Sequence, residues 1–122
     1  AMIGEARSAL GPIDLLVLSA GVFRRTPIAA ASEDDWDWLM DTNAKGAFLC
    51  ARELAGEMRE RGGAIILLAD VAGLRPWPSY IPYSASKAAV VSLTQGLAMA
   101  LAPRVRVNAI APGPVLPPDD FD

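Results

Sequence analysis

The sequence of 122 residues predicts an α/β domain built around a parallel β-sheet. One observation is that the aliphatic runs at 14–19 (DLLVLS) and 64–69 (AIILLA) lack polar alternation, a pattern typical of parallel strands that are covered on both faces. A second is that helical stretches separate these runs from each other and from a third run at 105–110 (VRVNAI). Strands that alternate with helices indicate crossover connections on a parallel sheet. The length suits a single small domain.

The first half of the chain alternates helix, strand and helix. A short helix at 3–10 ends at Gly11-Pro12, and the first strand follows it directly. A long helix then runs from Ser32 to about Arg61. Ser32 is a suitable N-cap because acidic residues occupy the next three positions, where the helix dipole favours negative charge.

The second half adds a strand, a helix and a last strand. Gly62-Gly63 ends the long helix and leads into the strand at 64–69. A further helix is predicted from near Tyr80 to Ala102, where Pro103 stops it. The third strand, 105–110, is followed by Pro112-Gly113.

Composition and charge exclude several classes of function. The chain is 52% hydrophobic and 20% charged, which is typical of a packed domain and not of a disordered segment. The net charge is −3 without a basic stripe, so we expect no nucleic-acid partner. With one cysteine and no histidine, we expect neither an internal disulfide nor a metal site. No apolar run reaches the ~20 residues of a membrane span. We therefore expect a cytoplasmic protein that does not bind membranes.

Tyr83 and Lys87 are candidates for acid–base chemistry. Residues four apart on a helix share a face. A free tyrosine has a pKa of about 10, and a nearby ammonium favours the phenolate and lowers that pKa toward the working range. The pair could thus act as a general acid and base. For an isolated match, however, a surface tyrosine and a solvated lysine are the commoner explanation.

Three further features follow or interrupt the predicted elements. Asp70 ends the second aliphatic run, thirteen residues before Tyr83. Asn43 lies inside the long helix although asparagine is a poor helix former, so it is either exposed or part of a kink that holds a water beside Lys87. Gly113 lets the backbone approach a ligand closely. Ligands of open parallel sheets bind beyond the carboxyl ends of the strands, where the stretch 19–21, Asp70 and Gly113 all lie.

Five stretches, in order and spacing, resemble the short-chain dehydrogenase/reductase family. They are DLLVLSAG (14–21), DTNAKGAF (41–48), GAIILLAD (63–70), YSASK (83–87) and RVNAIAPGPV (106–115). The resemblance implies a Rossmann-type, doubly wound parallel sheet, present in part, with strands that correspond to the family's fourth to sixth. It also implies hydride transfer with a nicotinamide cofactor.

The resemblance implies a role for each candidate residue. Tyr83 resembles the proton donor or acceptor, Lys87 the residue that lowers its pKa and binds the nicotinamide ribose, and Asn43 the residue that holds a proton-relay water. We expect NADP rather than NAD as cofactor. We also expect the helices at 33–58 and 83–101 to pair with their copies in a homodimer or homotetramer. The expected cofactor contacts are Ser19, Ala20, Gly21, Tyr83, Lys87, Pro112, Gly113 and Val115.

Asp70 departs from the family pattern, which has serine at this position. A serine hydroxyl donates to a substrate carbonyl, whereas an ionised carboxylate only accepts. Asp70 therefore suits a small molecule that presents N–H groups, such as a pterin, and resembles the pteridine reductase-like branch of the family. A general carbonyl or alcohol dehydrogenase, and a non-catalytic remnant that only oligomerises, are the alternatives. Burial would raise the pKa of Asp70 and Lys87 would lower it, and the sequence leaves that balance open.

The chain lacks the glycine-rich turn that binds the cofactor pyrophosphate in this family. The resemblance therefore predicts that 1–122 is one incomplete domain, a middle fragment without the N-terminal cofactor motif or the C-terminal substrate lid. By itself such a chain should bind cofactor weakly and leave the edge of its first strand unpaired. Trp77 and Tyr80, just before Tyr83, are candidates to line a flat substrate.

Overall fold

The computed structural model describes residues 2–114, so Val115, one of the expected cofactor contacts, lies outside the described residues. The elements are α1 (Met2–Leu10), β1 (Leu15–Leu18), α2 (Glu33–Met40), a π-helical turn (Asp41–Lys45), α3 (Gly46–Arg61), β2 (Gly63–Leu68), a 3₁₀ turn (Val71–Gly73), α4 (Ile81–Leu101) and β3 (Val105–Ile110). The predicted order of helices and strands is confirmed, with boundaries that shift by one or two residues.

The three strands form one parallel sheet in the order β1-β2-β3. Leu15 pairs with Ala64, and Gly63 pairs with Val105. Because the strands are parallel, their carboxyl ends lie at the same edge of the sheet. Since parallel neighbours require crossover connections, α2 and α3 link the first two strands and α4 links the last two. The predicted α/β class with a parallel sheet is therefore correct.

One face of the sheet carries the main hydrophobic core. Ile65 and Leu67 of β2 are fully buried there, and Leu54 of α3 and Val90 of α4 pack against them. The opposite face is more open, since Leu15 is 54% exposed in the described part of the chain. The prediction that the strands are covered on both faces is thus wrong for residues 2–114. Helices α1, α3 and α4 contribute to this core, while Leu39 of α2 lies in a second, smaller cluster with Ala72 and Tyr83.

The helix predicted from Ser32 to Arg61 is interrupted by the π-helical turn. Its start is as predicted: Ser32 Oγ accepts from the Asp35 amide at 3.0 Å, and Asp35 Oδ2 accepts from the Ser32 amide at 3.1 Å, which forms a capping box. In the π-helical turn the Gly46 amide donates to the Asp41 carbonyl, five residues back. Asn43 lies at the centre of this turn and is 2% exposed, so the alternative of an exposed asparagine is wrong.

None of the helices within residues 2–114 is long and apolar enough to cross a membrane.

Candidate active site

The carboxyl ends of the three strands bring the predicted site residues to one edge of the sheet. Ser19, Ala20 and Gly21 follow β1 and are exposed, Asp70 follows β2, and Pro112 and Gly113 follow β3. The Val71 amide donates to the Pro112 carbonyl at 3.1 Å, which ties the loop after β3 to the turn after β2. These residues thus follow the carboxyl ends of the strands, as predicted for a ligand site in a parallel sheet.

Asn43 joins the loop after β1 to helix α4. Its Oδ1 accepts from the Val22 amide at 2.7 Å, and its Nδ2 donates to the Val22 carbonyl at 3.0 Å. Nδ2 also donates to Ser86 Oγ at 2.9 Å, and Ser86 Oγ donates to the Tyr83 carbonyl at 2.7 Å. Both amide hydrogens of Asn43 are engaged, so a relay water would have to bond its Oδ1 or its main chain.

Lys87 is 7% exposed and points its ammonium toward the loop after β1. Nζ donates to the Leu68 carbonyl at 2.9 Å, and a Cβ added to Gly21 would lie 3.5 Å from Nζ and 3.2 Å from Asn43 Oδ1. Burial lowers the pKa of Lys87, while the nearby charge of Asp70 acts in the opposite direction. A glycine beside a buried ammonium leaves open backbone there, which a cofactor ribose could approach.

Asp70 uses its two carboxylate oxygens on two different partners. Oδ1 accepts from the Ala72 amide at 2.7 Å and so caps the 3₁₀ turn. Oδ2 accepts from the Tyr83 hydroxyl at 2.9 Å. Tyr83 is 5% exposed. This direct contact between the acid and the tyrosine explains the spacing of thirteen residues, because the strand end and the first turn of α4 face each other.

The pKa of Tyr83 is raised above its ordinary value. Burial is the largest cause, followed by the hydrogen bond to Asp70 and the negative charge of that carboxylate. The net direction is therefore opposite to the predicted lowering of the Tyr83 pKa, because burial and Asp70 outweigh the more distant Lys87. Lys87 Nζ lies 5.9 Å from the centre of the tyrosine ring, whereas Asp70 touches the hydroxyl. The phenol stays protonated at neutral pH.

Aromatic side chains surround the tyrosine. Phe23 stacks on Tyr80 with ring centres 4.8 Å apart and meets Tyr83 edge-on at 4.7 Å. Trp77 meets Tyr80 edge-on at 5.8 Å. Trp77 and Tyr80 pack around Tyr83 in a small apolar cluster, while Phe23 is 46% exposed. Phe23 was not among the predicted site residues, although it lies two residues after Gly21.

Comparison with known proteins identifies the family of this chain. The family model described as short chain dehydrogenase matches residues 1–119. The chain belongs to the short-chain dehydrogenase family. Over 115 residues, or 93% of the chain and 47% of the relative, it is 44% identical to the 3-oxoacyl-[acyl-carrier-protein] reductase FabG of Staphylococcus aureus. It is also 41% identical over 118 residues to a short-chain type dehydrogenase/reductase of Picea abies, covering 93% of the chain and 44% of the relative.

Two solved dehydrogenase structures share the fold. A putative short-chain alcohol dehydrogenase from Sinorhizobium meliloti superimposes with a TM-score of 0.89 at 38% identity, covering 93% of this chain and 46% of that one. A 4-hydroxyisoleucine dehydrogenase complexed with NADH gives a TM-score of 0.85 at 32% identity, covering 92% and 51%. These similarities confirm the Rossmann-type fold. The chain spans about half the length of the curated relatives it matches.

Proposed function

We propose that this short-chain dehydrogenase acts as a pteridine reductase-like enzyme, which uses NADPH to reduce a carbon–nitrogen double bond in a pterin ring. The observation that carries the proposal is the hydrogen bond of 2.9 Å from the Tyr83 hydroxyl to Asp70 Oδ2. It decides which groups the site can offer to a substrate.

The Asp70–Tyr83 pair offers acceptors rather than donors. The only proton of the Tyr83 hydroxyl is committed to Asp70, and the ionised carboxylate has none to give. A plain carbonyl oxygen would find no free donor here unless Tyr83 turned away from Asp70. An amino or ring N–H, in contrast, can donate to the lone pairs that remain on both groups. The pair therefore matches the amino-pyrimidine edge of a pterin better than a simple ketone.

Reduction of a carbon–nitrogen double bond requires a hydride on carbon and a proton on nitrogen. A nicotinamide cofactor held beside Lys87 and the loop at 19–21 would supply the hydride. Tyr83 holds a proton, since its raised pKa keeps the phenol neutral. To deliver that proton, the hydroxyl would have to exchange its bond to Asp70 for one to the ring nitrogen. When the proton leaves, the ammonium of Lys87 offsets the charge that develops on the phenolate beside Asp70.

The backbone at 19–21 and Lys87 fit the sugar of a nicotinamide cofactor. Gly21 has no side chain to cover the buried Nζ of Lys87, so a ribose hydroxyl can reach that donor. In the loop after β3, a Cβ added to Gly113 would make an ordinary contact with Val71 Cγ1 at 3.9 Å. We propose NADPH over NADH on the resemblance stated above.

The proposal includes a cytoplasmic homo-oligomer. Helices α3 and α4 present apolar side chains that a second copy would cover: Phe48 is 42% exposed, Leu49 39% and Met99 77%. A shallow apolar groove between Phe48 and Leu97 lies on the same helices. These surfaces agree with the expected pairing through 33–58 and 83–101.

A second candidate function is the reduction of a simple carbonyl group. The similarity to the Staphylococcus aureus 3-oxoacyl-[acyl-carrier-protein] reductase, at 44% identity, favours it. In this case Tyr83 would have to exchange its bond to Asp70 for one to the substrate oxygen. The remaining alternative, a non-catalytic remnant that only oligomerises, predicts turnover of neither substrate.

The deciding experiment measures NADPH oxidation with dihydrobiopterin and with a 3-oxoacyl substrate, for the native protein and for Asp70→Ser. The matched control is Asp37→Asn, which removes an exposed acid on α2. The pterin proposal requires native turnover of dihydrobiopterin that Asp70→Ser loses and the control keeps. Turnover of the 3-oxoacyl substrate alone, increased by Asp70→Ser, would establish the carbonyl reductase. A native protein that binds NADPH but turns over neither compound would exclude both.

A further inference from the structure

The 3₁₀ turn after β2 lies directly on the backbone of helix α4. A Cβ added to Gly73 would lie 2.7 Å from the carbonyl carbon of Lys87, 2.8 Å from its carbonyl oxygen and 2.9 Å from the Ala88 nitrogen. These atoms belong to the helix backbone and cannot move aside like the tip of a flexible side chain. Position 73 therefore needs glycine because any side chain there would collide with the backbone of α4. Backbone conformation is not the reason, because the φ of Gly73 is not in the left-handed region.

The same turn carries Asp70. The Ala72 amide donates to Asp70 Oδ1 at 2.7 Å, and the Gly73 amide donates to the Asp70 carbonyl at 3.0 Å. Ala72 is fully buried. Asp70 and Gly73 are thus joined by a hydrogen-bonded turn, and a displacement of one moves the other.

We propose that Gly73 is a positioning residue, whose missing side chain seats the turn on the Lys87–Ala88 peptide and so holds the Asp70 carboxylate on the Tyr83 hydroxyl. The inference rests on the proposed function, in which the Asp70–Tyr83 contact selects the substrate. An alanine at 73 would reach an ordinary contact of 3.4 Å only if the turn and the helix moved apart. The contact between the Tyr83 hydroxyl and Asp70 Oδ2, which is now 2.9 Å, would then exceed the usual length of a hydrogen bond.

Separation of the turn from α4 would change the charges that act on Tyr83. In the described structure two charged groups face the phenol, Asp70 through the hydrogen bond and Lys87 from the same helix. Phe23, which packs on the ring from the loop after β1, is uncharged. If Asp70 recedes, the influence of Lys87 remains, and the phenol ionises at lower pH.

The test is a spectroscopic titration of tyrosinate in the native protein and in Gly73→Ala. Subtracting the titration of Tyr83→Phe isolates the phenol of Tyr83. We expect Tyr83 in Gly73→Ala to ionise roughly one pH unit or more below the native group, because a like charge has moved away. We also expect kcat to fall by roughly 10- to 100-fold, as for other misplaced catalytic groups. The matched control is Gly56→Ala on α3, where nothing lies within 4 Å of the added methyl.

If Gly73→Ala folds and its Tyr83 ionises at the same pH as in the native protein, the proposal is overturned. Ala72→Gly provides a second variant if Gly73→Ala does not fold, because it loosens the packing of the turn and keeps the seat of Gly73 on α4. It should leave the Tyr83 titration native. A lowered Tyr83 pKa in Ala72→Gly would show that Ala72, not Gly73, sets the position of Asp70. The titration uses no substrate, so its outcome is independent of whether the pterin assignment holds.

Discussion

The Tyr83 hydroxyl donates a hydrogen bond of 2.9 Å to Asp70 Oδ2, at the edge of the sheet where the strands end. The tyrosine in this protein is thus paired with a negative charge in direct contact and with a positive charge that is farther away. Burial, and after it this pairing with Asp70, raises the pKa of Tyr83, and the pairing gives the site its acceptor character.

The alkaline limb of the pH–rate profile should depend on Asp70. Reduction needs a protonated phenol, and the raised pKa of Tyr83 keeps that form present beyond the ordinary value of 10.0. Asp70→Asn removes the negative charge, so the phenol should ionise earlier and the loss of reductase activity should begin at lower pH. The measurement is kcat/KM against pH for both proteins. Asp37→Asn should keep the native profile, and an unchanged profile in Asp70→Asn would contradict the argument.

Asn43→Ala should destabilise the protein by about 3 kcal/mol, because it leaves the backbone groups of Val22 and the Ser86 hydroxyl without their partner in a buried site. Cofactor affinity should fall as well, because the loop that carries Gly21 loses its connection to α4. Urea denaturation and NADPH titration measure the two effects.

The control for Asn43 is Asp41→Asn in the same π-helical turn. It breaks only the exposed ion pair with Lys45, at 3.1 Å, and should cost less than ~1 kcal/mol. Equal losses in the two variants would mean that the turn itself is fragile and that the contacts of Asn43 are not the cause.

The start of α2 should become acid-sensitive through Asp35. Its pKa is lowered from 3.8 to about 2, first by the hydrogen bond from Arg24 and then by those from Ser32. A carboxyl with a lowered folded pKa stabilises the protein above its unfolded pKa, and this contribution is lost as the pH falls through the folded value. The difference in unfolding free energy between native and Asp35→Asn should therefore be constant above pH 3.8 and shrink toward pH 2. Exposed Asp37→Asn should show no such trend, and a difference independent of pH would refute the role of Asp35.

Leu54→Ala should cost about 3 kcal/mol, because Leu54 is fully buried in the core between α3 and the sheet. Leu10→Ala makes the same chemical change at a side chain that is 82% exposed and should be nearly neutral. Chemical denaturation of both variants checks the position of the core. Comparable losses would show that the face assigned to the core is wrong.

Much of the fold was predictable because the signals were local. The aliphatic runs marked the three strands, Ser32 and the acids after it marked a helix start, and Gly62 marked a helix end. The π-helical turn was only partly predictable. Asn43 signalled an irregularity, but the type of turn depends on contacts with Val22 and Ser86, which are distant in sequence.

The membership of the site was predictable, but its electrostatics were not. The order of motifs along the chain, and the rule that ligands bind at the ends of parallel strands, predicted that Asp70, Tyr83 and Lys87 lie close together, and they do. Sequence spacing alone could not show which charge touches the Tyr83 hydroxyl, and so the direction of its pKa was predicted wrongly. Phe23 escaped prediction because its contacts with Tyr80 and Tyr83 come from a loop without a helical or strand pattern.

The π-helical turn at Asp41–Lys45 also fixes the rotational phase between two helices. Each residue of an α-helix advances the chain by about 100°, so removing one residue from this turn could restore a continuous α-helix only by rotating one side against the other. If α3 kept its orientation, Leu39 and the rest of α2 would swing away from their packing; if α2 kept its own, Leu54 would leave the core. The turn should therefore tolerate substitutions at its exposed positions far better than a change in length.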